Sequence, residues 1–231
     1  MNNIWDKVAK PYNNISNISA AHQEKFDFVS NFVIANRATS LLDLGCGSGL
    51  LEKSLIRKGF SGEITALDSS KMMLEIARLG CIRNSVNFLF FNLNQLSRLQ
   101  GAFESCVAIN SLFLVEQKKE TLMQINRLLL SKGFLILIEP TFGDHSMPFF
   151  INQLKKEKFG LLRKFFSKSL IDVLRVAISQ RGISNMIKKK EITLPTKAEW
   201  MDYLKGGRFE IISEGSIQLD ENYYIIARKT L

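Results

Sequence analysis

The stretch LLDLGCGSGLLEKSL, from Leu41 to Leu55, constrains the fold more than any other part of the sequence. Four mostly apolar residues, Leu41–Leu44, lead into glycines at Gly45, Gly47 and Gly49, and a helical pattern follows them. Glycine lets a backbone turn sharply and approach a ligand without a Cβ atom in the way. Open α/β sheets bind ligands at such strand exits, where the next helix also offers free N–H groups. The stretch therefore predicts a buried strand that enters a ligand-binding loop.

Apolar strand patterns alternate with helical patterns along most of the chain. After the glycine loop the strand patterns are GEITALD, VNFLFFNL, SCVAINSLFLV and FLILIEP, with helical patterns such as SSKMMLEIARLG and KKETLMQINRLLLSKG between them. FEIISEGSI and NYYIIARKT then form a closing antiparallel pair. This order predicts an α/β fold with a doubly wound, mostly parallel seven-stranded sheet.

Several residues predict where helices begin and end. Pro11 should end a short N-terminal helix, because a proline disfavours helical backbone in the residue before it. Gly133 should end the helix before the fifth strand. Ser69 or Ser70 is the expected N-cap of the helix after the second strand. Thr196–Glu199 has the spacing of a capping box, which predicts the start of the last helix.

The alternation stops between the fifth strand and the last helix. The 231 residues fit one α/β domain with an insertion, so we assign residues 1–140 and 195–231 to the domain and 141–194 to a helical lid. Residues 151–190 hold eleven Lys or Arg and two acids, and this excess equals the whole net charge of +9. A basic lid near the site indicates an anionic acceptor or partner.

The basic insertion leaves several partners open. It could close over an apolar substrate with an anionic group, dock an acidic carrier protein that holds the substrate, or rest peripherally on an anionic membrane. Nucleic acid is disfavoured, because no recognised RNA-binding module accompanies the basic segment. Its aromatic residues could equally pack the insertion onto the domain. The sequence leaves the oligomeric state open.

The glycine loop departs from a dinucleotide fingerprint. Gly-x-Gly-x-x-Gly counted from Gly45 requires a glycine at Leu50, whereas the third glycine comes one residue early. Asp43 precedes the loop by two residues, and its carboxylate would repel a pyrophosphate. The position suits a ligand that bears an ammonium group, so a nicotinamide-dependent dehydrogenase is disfavoured.

LLDLGCGSG resembles the first motif of the class I S-adenosylmethionine-dependent methyltransferases. ITALDSSKMMLEIAR resembles the second motif and VNFLFFNLNQL the third, and later segments match the fourth and fifth strands and the closing hairpin. The resemblance covers about residues 1–140 and 195–231. It implies S-adenosylmethionine as cofactor, with Asp68 on the ribose hydroxyls and Asn92, in place of the more common Asp, facing the adenine amino group.

The same resemblance implies a set of cofactor-binding residues, and the spacing of the three cysteines gives no indication of a metal site. Tyr12 corresponds to a tyrosine that covers the cofactor in many small-molecule methyltransferases, although it could equally be a packing residue. The full set is Tyr12, Asp43, Gly45, Cys46, Gly47, Gly49, Asp68, Ser69, Met73, Asn92, Leu93 and Asn110. For the two acids the alternative is a purely structural role, in which they bind neighbouring backbone N–H groups.

Methyl transfer needs an acceptor aligned with the methyl carbon and, for a protonated acceptor, a base. His145 follows the fifth strand and is the candidate catalytic base, although a loop histidine beside an aspartate is often only solvated. His22 is a weaker candidate. Asn110 either lines the acceptor side or satisfies backbone groups. Ser111 and Leu112 stand where base amino-methyltransferases carry two prolines, which disfavours that activity.

These observations predict an S-adenosylmethionine-dependent methyltransferase that acts by in-line displacement on a small-molecule or carrier-bound, anionic acceptor. The alternative is a non-catalytic methyltransferase-fold scaffold that binds an acidic partner or a membrane through the insertion. Three scattered cysteines and an N-terminus without a basic-then-apolar leader predict a cytoplasmic protein.

Overall fold

A seven-stranded sheet organises the chain in a computed structural model, which describes residues 4–81, 86–141, 187, 189, 191–218 and 220–230. The strands follow the spatial order β3-β2-β1-β4-β5-β7-β6. Their bounds are β1 Ser40–Leu44, β2 Glu63–Asp68, β3 Val86–Phe90, β4 Phe103–Ile109, β5 Leu129–Pro140, β6 Phe209–Ile217 and β7 Asn222–Lys229. This sheet confirms the predicted α/β fold.

Helices flank both faces of the sheet. Their bounds are α1 Ile4–Ile18, α2 Ala20–Ala35, α3 Leu50–Arg57, α4 Lys71–Gly80, α5 Lys118–Leu128 and α6 Lys197–Gly206, with short 3₁₀ helices at Leu93–Arg98 and Leu112–Leu114. Ser70 caps α4 by accepting the Met73 N–H, and Thr196 and Glu199 form the predicted capping box of α6. None of these helices is long and apolar enough to cross a membrane in the part of the chain that the structure describes.

The strand order reverses beside β1, and this reversal positions the site. β1 pairs in parallel with β2 on one side and with β4 on the other. After β1 the chain therefore adds strands on the β2 side first, and it later crosses back over β1 to add β4 on the opposite side. β7 is antiparallel to both β5 and β6, and this pairing completes the open sheet on the β5 side. Ligands of doubly wound sheets bind at such a reversal, beyond the carboxyl ends of the strands.

Each face of the sheet carries its own apolar core, because successive side chains of a strand point to opposite faces. Leu41 packs with α2, α3 and α4 on one face, whereas Leu42 packs with α5 and α6 on the other. Trp200 of α6 is fully buried in the second core. The packing on both faces holds the central strands in place, and the polar residues of the site lie at the carboxyl ends of these strands.

Three boundary predictions are wrong. Pro11 lies inside α1, because Val8 and Ile15 are buried on either side of it and their packing holds the helix through the proline. Gly133 lies within β5, where Leu129 already pairs with Phe103. The residues that follow Leu129 form a bulge before the regular pairing resumes.

The third correction concerns the fourth strand. SCVAINSLFLV was predicted as one strand, but β4 ends at Ile109. Asn110 then adopts a positive φ of 54°, which turns the chain away from the sheet. Asparagine tolerates this left-handed conformation better than most residues. The turn leads into the 3₁₀ helix at Leu112–Leu114.

Candidate functional site

Three glycines form the loop between β1 and α3, each with positive φ: 93° at Gly45, 55° at Gly47 and 75° at Gly49. A Cβ atom on Gly45 would lie 2.6 Å from the Cβ of Ser111, so close packing also requires glycine there. The Gly45 and Cys46 N–H groups both donate to the Leu67 carbonyl, at 2.8 and 2.9 Å. The loop is therefore anchored to β2.

Gly47 is the open point of this loop. No described atom lies within 4 Å of where its Cβ would be, so its backbone can be approached closely. Its N–H donates to Oδ2 of Asp68 at 2.8 Å, across from the end of β1 to the end of β2. The geometry provides a backbone cradle between the two strand ends.

Asp68 joins the loop to the next helix. Its Oδ1 accepts the Ser70 N–H at 2.7 Å, while Oδ2 accepts the Gly47 N–H. Burial raises the pKa of this carboxyl, although hydrogen bonds from backbone N–H groups oppose that rise. Asp68 thus has the structural role weighed in the sequence analysis, at the position where the resemblance places the ribose hydroxyls.

Two further carboxyls lie beneath the loop. Asp43 of β1 and Glu52 of α3 are both buried and interact with each other. Burial raises the pKa of Glu52 to about 7. Burial, followed by the neighbouring charge of Glu52, raises the pKa of Asp43 well above its ordinary range. Neither Glu52 oxygen meets a hydrogen-bond partner of good geometry among the described residues.

The three acids define the electrostatics of the loop. Asp68 raises the pKa of both Asp43 and Glu52, so the negative charges repel one another. Lys53 is the neighbouring cation that lowers the pKa of Glu52, and its ammonium donates to the Ser48 carbonyl. A ligand with an ammonium or sulfonium charge would relieve this repulsion, whereas a pyrophosphate would increase it. The residues therefore fit S-adenosylmethionine and do not fit a dinucleotide.

The remaining predicted cofactor residues surround this loop. Met73 is buried under the first turn of α4, and Ser69 is exposed at the end of β2. Asn92 is exposed beyond β3, where its Oδ1 accepts the Asn94 N–H at 3.0 Å and caps the short 3₁₀ helix that begins at Leu93. Asn92 is thereby held at the carboxyl edge of the sheet, on the side of β2 away from β1.

Asn110 lies on the opposite side of the strand reversal. Its Oδ1 accepts a hydrogen bond from the Asn222 amide at 2.5 Å, and its N–H donates to Ile138 at 2.7 Å. Next to it Glu139, at the end of β5, is fully buried and accepts the Leu112 N–H at 2.8 Å. Burial raises the pKa of Glu139 to about 8.

Tyr12 and His22 meet where α1 and α2 pack together. The Tyr12 hydroxyl and His22 Nε2 lie 3.3 Å apart, and their rings contact edge to face. Burial raises the pKa of Tyr12 to about 12, and the negative charge of Asp68 adds to the rise. Burial also lowers the pKa of His22 well below its ordinary value, so its ring is neutral at pH 7. The interaction of Tyr12 with Asp68 brings this pair close to the loop.

His145, the predicted base, lies outside the described residues, as does nearly all of the insertion. Sequence reasoning missed Glu52, Lys25 and Glu139, three buried ionisable residues at this edge of the domain. In the sequence, Glu52 and Lys25 have the pattern of solvent-exposed helix residues, and Glu139 has that of a residue at the end of a strand. An ionisable residue between apolar neighbours, as in FLILIEP, was the available signal.

Comparison with known proteins agrees with this geometry. The sequence profile of a family described as a methyltransferase domain matches residues 42–137, from β1 to the middle of β5. Demethylmenaquinone methyltransferase of Chlamydia pneumoniae is 26% identical over 152 residues, which cover 62% of this chain and 66% of that protein. Malonyl-[acyl-carrier protein] O-methyltransferase of Priestia megaterium is 26% identical over 142 residues, covering 61% of this chain and 50% of that protein. The chain thus spans half to about two thirds of these curated relatives.

The fold has counterparts among solved structures. Magnesium protoporphyrin IX methyltransferase from Synechocystis PCC 6803, solved with bound S-adenosylmethionine, superimposes with a TM-score of 0.63. The superposition covers 99% of this chain and 92% of that chain at 16% identity, a likeness of fold. Sheet order, glycine loop and matching profile together show a methyltransferase-type fold, with a methyltransferase domain matched over residues 42–137.

Proposed function

We propose that the protein transfers a methyl group from S-adenosylmethionine to a small-molecule or carrier-bound acceptor that carries an anionic group. The observation that carries this proposal is the cluster of Asp43, Glu52 and Asp68 around an open glycine loop. Burial raises the pKa of all three acids, and the charge of Asp68 raises the pKa of Asp43 and of Glu52 further, so a cationic ligand at the strand reversal is favoured. S-adenosylmethionine carries both an ammonium and a sulfonium charge.

Named residues of the chain would share the work of binding. Asp43 and Glu52 would attract the ammonium group, and the open backbone of Gly47 would allow the methionine part to approach. Asp68 and Asn92, at the ends of successive strands, would hold the ribose and the adenine. The bound cofactor supplies an electrophilic methyl carbon on sulfur.

The protein then has to align the acceptor, since in-line displacement depends on geometry. The acceptor's lone pair forms the new bond to the methyl carbon as the carbon–sulfur bond breaks, and a thioether leaves. Any proton on the acceptor passes to a base. We propose that residues 141–194 form the lid and that their basic excess selects an anionic acceptor. The curated relatives named above, which act by name on a quinone and on a carrier-bound acid, support a small-molecule or carrier-bound acceptor.

A transfer assay tests the proposal. The protein would be incubated with S-adenosylmethionine labelled in the methyl group and with acceptors matched in size but differing in charge, free or attached to acyl carrier protein. We expect labelled product and equimolar S-adenosylhomocysteine with anionic acceptors, and slower transfer to their neutral esters or amides. Tight cofactor binding without transfer to any acceptor would instead favour a non-catalytic scaffold.

A further inference from the structure

Each of the two N-terminal helices is held by hydrogen bonds to a loop at the carboxyl edge of the sheet. In α1, Oδ1 of Asp6 accepts the Ser70 hydroxyl at 2.5 Å and the Met72 N–H at 3.2 Å, beside the end of β2. In α2, the Glu24 carboxylate accepts the Gln218 N–H at 3.0 Å, in the turn between β6 and β7. Parts of α1 and α2 therefore lie at the edge that contains the candidate cofactor site.

The direction of α2 places its first turns over this edge. The helix has 16 residues, about 24 Å at 1.5 Å per residue. It ends shortly before β1 begins, and it packs on α3 and β4. Because β1 is only about 17 Å long, the start of α2 reaches the carboxyl ends of the strands. His22 and Lys25 lie there, one turn apart on the buried side of the helix.

Lys25 is the least expected residue in this region. Its side chain is fully buried, and Nζ has no hydrogen-bond partner among the residues that the structure describes. Burial lowers the pKa of Lys25 to about 7, and attraction to the Glu139 carboxylate opposes the fall. The Nζ lies over the Phe26 ring, 5.8 Å from its centroid. A buried amine without a hydrogen-bond partner is costly to keep, and such groups concentrate at functional sites.

Glu139 provides the second unsatisfied group. Its Oε1 accepts the Leu112 N–H, while Oε2 has no hydrogen-bond partner within the described part of the chain. The charges of Lys25 and Glu139 interact, yet no hydrogen bond is found between the two side chains. An acidic oxygen of a ligand held between them would satisfy both groups.

A row of aromatic rings leads to Lys25 along the two helices. Trp5 contacts Tyr12 with ring centroids 5.9 Å apart, Tyr12 contacts His22 at 5.7 Å, and His22 contacts Phe26 at 5.5 Å, all edge to face. Trp5 and Tyr12 are partly accessible to solvent, whereas His22 and Phe26 are buried. Such a row favours an aromatic ligand beside the buried amine.

We propose that Lys25, with Glu139 opposite, forms the acceptor site, and that the acceptor is an aromatic compound with an acidic hydroxyl that is methylated on oxygen. This inference rests on the proposed methyltransferase function and adds the acceptor class and a base. Lys25 Nζ takes the hydroxyl proton, and the oxygen's electron pair forms the bond to the methyl carbon. The carbon–sulfur bond breaks, its electrons remain on sulfur, and S-adenosylhomocysteine leaves.

The protonation states agree with this assignment. Below about pH 7 Lys25 is an ammonium and can hold a phenolate, and above it the free amine can accept the proton. Among the described residues, the ionisable groups that interact with it are His22 from α2 and Glu139 from β5. His22 is neutral and Tyr12 stays protonated near pH 7, which leaves Lys25 and Glu139 to titrate between pH 6 and 9.

The test uses 4-nitrophenol, whose phenolate form absorbs visible light and reports its own ionisation. Titrations of the probe with saturating wild-type protein, Lys25→Met and Lys10→Met are compared. Methionine has nearly the length of lysine without its charge, and Lys10 is an exposed lysine of α1 that serves as the matched control. We expect the wild type and Lys10→Met to lower the apparent pKa of the bound probe by about one unit or more. Lys25→Met should abolish that effect.

Two further readouts separate this inference from the proposed function. Calorimetry should give the same affinity for S-adenosylmethionine in all three proteins, and thermal melting should show each to be folded. Lys25→Met should also slow transfer to a phenolic acceptor by at least about tenfold and remove the rise in rate near pH 7. An unchanged probe pKa with wild-type protein, or an effect that persists in Lys25→Met, would overturn the acceptor assignment. Failure of the wild type to bind S-adenosylmethionine would instead overturn the proposed function.

Discussion

Glu52→Gln should stabilise the free protein at alkaline pH, because the wild type must hold a buried charge there. The Glu52 carboxyl ionises near its ordinary value of 4.5 in the unfolded chain and at about 7 in the folded protein. Between these values the folded state binds more protons, so the free energy of unfolding falls as the pH rises. The penalty is complete above about pH 7. At about 1.4 kcal/mol per pKa unit, it amounts to roughly 3 kcal/mol.

Urea denaturation of the wild type and of Glu52→Gln at pH 5 and pH 8 measures this effect. Glutamine keeps the shape of the side chain without the charge, so we expect the wild type and Glu52→Gln to have nearly the same free energy of unfolding at pH 5. At pH 8 the variant should be more stable by up to about 3 kcal/mol. Glu75→Gln, at an exposed position of α4, is the control and should change stability equally at both pH values. A difference between Glu52→Gln and wild type that does not grow with pH would refute the reasoning.

Three other substitutions test separate parts of the account. Asp68→Ala should weaken S-adenosylmethionine binding at least tenfold by calorimetry while the circular dichroism spectrum is retained, since it removes two contacts to backbone N–H groups at the site; unchanged affinity would count against the site. Gly47→Ala should lower the free energy of unfolding by about 1 kcal/mol, because its φ of 55° strains any residue with a Cβ; an unaltered denaturation midpoint would show that no strain exists. Thr196→Ala should cost about 1 kcal/mol through loss of the capping box, without any change in cofactor affinity; a loss of affinity would contradict the independence of α6 from the site.

Much of the fold could be predicted because local patterns and tertiary packing agree. The buried strand at Leu41 and Leu42, the glycine turn and the capping box at Thr196 each carry a signal within a few residues. The errors occurred where packing opposed the local signal. Pro11 continues a helix that packed neighbours hold, and the apolar residues after Leu128 pair with β4 although they continue a helical pattern.

The candidate site likewise contains some residues that the sequence predicts and others that it does not. Asp43, Asp68 and the glycines are recognisable because a strand exit needs them at fixed spacing. Glu52, Lys25 and Glu139 lie far apart in sequence, and their burial depends on which elements cover the carboxyl edge. No local pattern distinguishes a buried lysine on α2 from a solvated one. The strand order and the positions of α1 and α2 were needed to reveal them.

The most direct test of the central claim is a thermal-shift measurement with S-adenosylmethionine, S-adenosylhomocysteine and NADH. A ligand at a hundred times its dissociation constant stabilises a protein by about 2.7 kcal/mol, which raises the midpoint of a domain of this size by roughly 5–10 °C. The acid cluster at Asp43, Glu52 and Asp68 predicts such a rise with the two adenosyl ligands and none with NADH. A rise with NADH, or no rise with either adenosyl ligand, would contradict the account.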